Sequence, residues 1–192
     1  ICGTGVSAVD YFITDEIVDP PGMHDAYFAE KPLYMPAQFA YAGIANAPAI
    51  RETPCKKRGY IQLGVFQLFT KVTDEMLLAW KCIMEQLPNA RLLLKGASFD
   101  NIALTDFIYN RLKKLGLPLT RIEFEGDSPY EEYLRRLQDM DIMLDTYPYT
   151  GGSTTLDALY MGVPTVTLYG ERRGTRFGYS ILKSVGLEEL AT

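Results

Sequence analysis

From Tyr60 onward, short apolar runs alternate five times with amphipathic stretches, and this rhythm restricts the fold more than any other feature of the chain. The runs at 60–65, 91–94, 122–124, 142–144 and 163–168 have the length and apolar content of buried strands. Helices are predicted between and after them. The first, 73–86, carries Met76, Leu77, Trp80 and Ile83 or Met84 on one face. A second at about 104–115 is stopped by Gly116 and Pro118, and others follow at 130–138, after Thr150, and at about 178–184. Strand–helix pairs in such a row predict an α/β domain, a doubly wound parallel sheet with helices on both faces, Rossmann-like in plan. Ligands of such sheets bind beyond the carboxyl ends of the strands, at helix N-termini.

One strand-to-helix junction is built differently from the rest. Thr150-Gly151-Gly152 interrupts the pattern after strand 142–144, and Ser153 or Thr154 is the predicted N-cap of the next helix. Leu156, Leu159 and Tyr160 then recur at helical spacing, Gly162 ends the helix, and Pro164 prevents its continuation. Free N–H groups, several hydroxyls and glycines without Cβ suit an anion such as phosphate.

Other groups fall on the same rim. Lys71 follows the first strand of the alternating part and is placed to meet a phosphate; a solvated lysine is the other reading. Tyr130 and Tyr133 follow the third strand, where an aromatic ring can stack on a base or simply pack against the next helix. Asp157, one turn into the glycine-led helix, suits ribose hydroxyls or the helix dipole. Arg172, Arg173 and Arg176 lie between Gly170 and Gly178, which reads as a mobile anion-facing loop or a solvated one.

The first 58 residues break the rhythm. Residues 9–14 read as a strand and Asp19-Pro20-Pro21-Gly22 as a turn. Residues 23–58, with Pro32, Pro36, Pro48 and Pro54, read as a traversing loop of functional or linking character, holding one helical turn at most. Lys56-Lys57-Arg58 reads as a solvated boundary.

Composition narrows the function. A net charge of −5 and a pI near 5.0 argue against a nucleic-acid binder. Cys2, Cys55 and Cys82 are odd in number and lack metal-ligand spacing, which favours structural thiols in a reducing compartment. No apolar run approaches a membrane span, and no leader opens the chain, so a cytoplasmic protein is expected. The opening Ile-Cys-Gly, without Met, reads as part of something longer. Neither GxGxxG after the first strand nor GxxxxGK[ST] is present, and His24, the single histidine, has no Ser or Cys partner nearby in sequence. A dinucleotide site, a P-loop and a histidine triad are therefore not expected.

Several motifs resemble glycosyltransferase family 41, the O-linked N-acetylglucosamine transferases with their SPINDLY and bacterial relatives. They are Asp10-Tyr11-Phe12-Ile13-Thr14-Asp15, Tyr27-Phe28-Ala29-Glu30-Lys31, Met35-Pro36, Gly64-Val65-Phe66-Gln67-Leu68-Phe69-Thr70-Lys71, Trp80 and Leu87-Pro88-Asn89-Ala90-Arg91-Leu92. The most specific runs from Leu144-Asp145-Thr146-Tyr147-Pro148-Tyr149 through Thr150–Leu159 to Met161-Gly162-Val163-Pro164 and Gly170-Glu171.

The resemblance implies the C-terminal, donor-binding lobe of a two-lobe GT-B enzyme. Residues 1–55 would then be the exit of a preceding lobe and the linker, and 56–192 the nucleotide-sugar lobe. It further implies that Lys71 contacts the diphosphate and assists departure of the leaving group. Gly151, Gly152, Ser153 and Thr154 would cradle phosphate, Asp157 would bind ribose, Tyr133 would face uracil, and Gln67 would lie near the nucleotide. Gly152 and Tyr133 stand where animal members carry histidine, and Gln67 where asparagine is usual. The implied reaction is an inverting, metal-independent transfer from a UDP-sugar, N-acetylglucosamine foremost, to protein Ser or Thr side chains. The acceptor would meet regions outside this chain, and the lobe alone would be inactive or nearly so. No cofactor beyond the UDP-sugar substrate is implied. A nucleotide-sugar epimerase and a non-catalytic sugar-nucleotide module are the alternatives; the near absence of histidine counts against the first.

Overall fold

The computed structural model describes residues 3–192, so Cys2 lies outside the described residues. Strand β1 (Tyr11–Thr14) pairs in parallel with β2 (Lys31–Tyr34), and a one-turn helix α1 (Cys55–Arg58) leads into the main domain. There β3 (Ile61–Val65), β4 (Ala90–Lys95), β5 (Ile122–Glu125), β6 (Ile142–Leu144) and β7 (Thr165–Val166) alternate with the helices. These are α2 (Asp74–Gln86), α3 (Ile102–Lys114), α4 (Tyr130–Leu137), α5 (Ser153–Tyr160) and α6 (Phe177–Ser184). The five strands form one parallel sheet in the order β5-β4-β3-β6-β7. The order reverses beside β3, which places the carboxyl end of β3 next to that of β6. A crevice opens at such a switch point.

Each face of the sheet carries its own core, as double winding requires. On one side Leu77, Trp80 and Met84 of α2 and Ile108 and Leu112 of α3 pack on Leu63, Val65, Leu92 and Leu94. On the other, Leu134 and Leu137 of α4 and Ala158 of α5 pack with Phe66, Leu93 and Met143. The starts of α2 and α3 are capped as their sequences direct: the Thr73 hydroxyl accepts from Met76 N and Asn101 Oδ1 from Leu104 N. Asn101 therefore begins α3 two residues earlier than its apolar spacing suggests. The last strand is shorter than predicted, because beyond Val166 the chain leaves β6 and Thr167 pairs with Ala191.

Strand β2 corrects the expectation of an unstructured traverse. Pro32 does not break it because β2 pairs only with β1, and proline is tolerated on an edge strand. The N-terminal segment is also tied to the main domain along its length. Asp15 Oδ2 accepts from Ser180 Oγ at 2.6 Å, Arg176 Nε donates to Ile17 O at 2.5 Å, and Gln138 Nε2 donates to Ala49 O at 2.7 Å. Asp141 finishes the link, accepting from Cys55 N and from Gln62 N at 2.8 Å each. Among the described residues no helix is long and apolar enough to cross a membrane.

Candidate functional site

The site is assembled where β3 and β6 end. Asp145, one residue past β6 and 3% exposed, organises it. Its Oδ1 accepts from Thr146 N at 2.8 Å and Gly151 N at 2.7 Å, while Oδ2 accepts from Thr167 Oγ1 at 2.7 Å. The chain is thereby pulled into a tight loop, with a cis Tyr147–Pro148 peptide, and Thr150 N donates to Gly174 O at 3.0 Å. Burial raises the Asp145 carboxyl above its ordinary range, with the bonds from Thr167, Gly151 and Thr146 and the Lys71 charge acting against that rise.

Gly151 is held so firmly that α5 begins at once. Gly152 occupies the N-cap position and no side chain caps the helix, which corrects the expectation that Ser153 or Thr154 does so. The first helical bond runs from Leu156 N to Gly152 O at 3.0 Å. The N–H groups of Ser153, Thr154 and Thr155 precede that ladder, which is the arrangement that receives an anion.

Lys71 approaches from the other side, in the 3-10 turn Phe69–Lys71 after β3. Its Nζ donates to Gln67 Oε1 at 3.2 Å and lies 4.6 Å from the centroid of the Tyr149 ring. Partial burial lowers its pKa, and the charge of Asp145 opposes that shift. Gln67, Lys71, Gly152, Ser153 and Thr154 face a common cleft of about 440 Å³, whose other wall includes Phe12, Gln38, Phe39, Arg173 and Phe177. Gly151 lies beneath it, buried, with Gln67, Thr155 and Asp145 around its Cα.

Tyr133 and Asp157 do not line that cleft; they sit in an adjoining cluster of tyrosines. Tyr133 stacks on Tyr130, with centroids 5.8 Å apart and planes at 16°, and its back packs against Phe66. Burial, then the charge of Asp157, raises the Tyr133 hydroxyl pKa, and a hydrogen bond with Thr154 works in the other direction. Asp157 is 7% exposed, and its Oδ1 accepts from Tyr41 at 2.7 Å and Tyr130 at 3.1 Å.

In the loop after β7, Arg172 is exposed, as the solvated reading has it, while Arg173 turns inward. Arg173 is buried, donates to Thr14 Oγ1 at 3.0 Å, pairs with Asp19 and covers the Phe12 ring at 4.6 Å. His24 Nδ1 meets Asp19 Oδ1 at 2.8 Å and its Nε2 meets Glu171 O at 2.7 Å, so the N-terminal segment clasps this loop. Asp145, Tyr41 and the aromatic wall were not legible as site residues, whereas Arg173 was named among the rim arginines and does line the cleft. Only Asp145 carried a signal, a carboxylate placed directly between a buried strand and a glycine turn.

A family model described as "Glycosyl transferase family 41" matches residues 59–192. The chain is 33% identical over 97% of its length to the Solanum lycopersicum protein named "Probable UDP-N-acetylglucosamine--peptide N-acetylglucosaminyltransferase SPINDLY", covering 20% of that protein. It is 27% identical to the Arabidopsis thaliana SEC protein, over 96% of this chain and 19% of that one. The chain thus spans about a fifth of the length of the curated relatives it matches. A mutant Thermobaculum terrenum O-GlcNAc transferase superposes with a TM-score of 0.92 at 30% identity, over 100% of this chain and 36% of that one. Sucrose-phosphate synthase from Thermosynechococcus elongatus superposes at 0.58 and 12% identity, over 94% of this chain and 50% of the other, a likeness of fold alone.

Proposed function

The chain belongs to glycosyltransferase family 41, and on that footing we propose that it is the donor-binding part of an inverting transferase that moves N-acetylglucosamine from UDP to protein Ser or Thr side chains. The observation that carries the reading is the cleft itself. It brings the Lys71 ammonium and the uncapped start of α5, with Ser153 and Thr154, onto one space. Two sources of positive potential thus share a space of nucleotide-sugar size. The SPINDLY relatives, named as UDP-N-acetylglucosamine–peptide transferases, support the choice of donor.

In the proposed reaction the acceptor hydroxyl attacks the anomeric carbon and gives its proton to a base outside this lobe, or to water, as the new C–O bond forms. The bond from that carbon to the β-phosphate oxygen breaks, its electron pair leaves with UDP, and the configuration inverts. Negative charge grows on the β-phosphate, where Lys71 and the N–H groups of Ser153, Thr154 and Thr155 stabilise it. Preorganised donors of this kind contribute about 3–4 kcal/mol each when removed from comparable sites. This lobe supplies the charge through its own groups, so the proposal assigns no metal a role. Asp157 and Tyr133, beside the cleft, take the nucleoside end. Residues 1–55 act as the junction to a preceding lobe that brings the acceptor. The free thiols of Cys55 and Cys82 suit work in the cytoplasm.

Lys71→Ala and Asp157→Ala should each reduce UDP affinity or turnover by at least about tenfold, which is ~1.4 kcal/mol. Unchanged binding and turnover in both variants would sink the assignment. Incubating the full-length protein with UDP- and GDP-sugars and candidate acceptors, read by mass spectrometry, identifies donor and acceptor together.

A further inference from the structure

The tyrosine cluster beside the cleft has a geometry that packing alone does not require. Tyr41 reaches Asp157 from the N-terminal segment and Tyr130 from the first residue of α4, and both hydroxyls donate to the same atom, Oδ1. Among the described residues no hydrogen bond is made to Oδ2, yet Oδ2 is not one of the sealed, unpartnered side-chain atoms. It therefore keeps access to solvent. A carboxylate held by one bond still swings about Cβ–Cγ, whereas two donors from different elements to one oxygen fix the plane and aim the other oxygen. Asp157 lies three residues after Thr154, on the same face of α5, and Thr154 lines the cleft. Oδ2 is thus presented at the edge of the phosphate cradle, beside the stacked Tyr130–Tyr133 rings.

We infer that Tyr41 and Tyr130 are positioning residues for nucleoside recognition, whose hydroxyls hold Asp157 so that Oδ2 accepts from the ribose of a nucleoside diphosphate. This rests on the donor reading above. The phenols are suited to the task because they remain donors. Burial and the neighbouring carboxylate raise the pKa of both, so neither ionises in the neutral range. Tyr41 is itself braced by Tyr160, edge to face at 5.7 Å between centroids, so it holds Asp157 from a fixed base.

The test is calorimetry with two probes, UDP and 2′,3′-dideoxy-UDP, on the full-length protein as wild type, Tyr41→Phe, Tyr130→Phe and the double variant. Wild type should favour UDP by at least about tenfold. The double variant should narrow that ratio to about threefold or less while binding the dideoxy probe as wild type does. A merely structural role would weaken both probes alike. An unchanged ratio in the double variant overturns the inference and leaves the donor reading intact. So does a wild type that binds both probes equally. A wild type that fails to bind UDP at all overturns the donor reading itself. Tyr130 is 53% exposed, so Tyr130→Phe keeps the fold and alone should show part of the narrowing if the half-buried Tyr41 does not tolerate change.

Discussion

Replacing Gly151 by alanine tests whether the cleft is organised from beneath. A methyl group on its Cα would lie 2.3 Å from Gln67 Nε2, 2.5 Å from Thr155 Oγ1 and 3.1 Å from Asp145 Oδ1. Non-bonded atoms settle at about 3.5 Å or more, so Gln67 and Thr155 must each retreat by about 1 Å. Asp145 has no freedom to share the adjustment, since Thr146, Thr167 and Gly151 hold both of its oxygens. Thr155 Oγ1 has no hydrogen-bond partner among the described residues and can rotate away, but that leaves the closer clash, which only a shift of Gln67 relieves. When it moves, Lys71 loses its 3.2 Å partner. Overpacking of this kind costs about 1–3 kcal/mol. In a domain of this size that lowers the melting temperature by about 2–12 °C. UDP binding should weaken by at least about tenfold in the same variant, because Lys71 is released. Thermal melts followed by calorimetry supply both numbers. An alanine variant that melts within about 1 °C of wild type and binds UDP equally would refute the steric reasoning.

Other substitutions separate neighbouring effects. Gly152→Ala meets only the half-buried Phe39 ring, at 3.2 Å from Cε1, a smaller overlap than the 2.3 Å at Gly151; its melting temperature should fall less than that of Gly151→Ala, and an equal or larger drop counts against this account of the loop. Asp145 yields a pH prediction. Burial holds its carboxyl above the ordinary 3.8, so as pH rises from there the unfolded carboxyl loses its proton first and the folded state binds more protons. Stability therefore declines until pH passes the folded value. Asp145→Asn should abolish that decline, so the stability difference, variant minus wild type, climbs with pH over this window and then levels. Denaturant titrations at stepped pH measure it, and a difference independent of pH contradicts the assignment. Thr165 is 2% exposed and its hydroxyl is sealed without a partner among the described residues. Thr165→Val should be neutral within about 1 kcal/mol or stabilising, and a loss above about 2 kcal/mol in chemical denaturation would mean that the hydroxyl is bonded in solution.

The main sheet was legible because its signals are local. Strands of three to six residues and helices with one apolar face repeat their periods within a short window, and the Thr73, Gly116 and Gly162 punctuation marks the ends. Strand β2 was not legible: four residues with a proline carry no period, and β2 exists only because β1 offers an edge. The cap of α5 was misplaced for a similar reason. Ser153 and Thr154 have the side chains of an N-cap, but Asp145 holds Gly151 and hands the capping position to Gly152.

For this protein, residue order alone determined the doubly wound sheet, the rim on which Gln67, Lys71 and Ser153–Thr154 meet, and the motifs of its family. The sheet and the positions of Lys71 and Ser153–Thr154 follow from short-range period and from which residues directly succeed a strand; Gln67 came from the family motifs. Tertiary structure decided the rest: that Asp145 is the buried anchor of the loop from Thr146 to Gly151, that Arg173 turns inward to Asp19, and that Tyr41 reaches across 116 residues to Asp157. Hydrogen bonds of such separation leave no trace in local spacing, because the partners become neighbours only after the strands have paired.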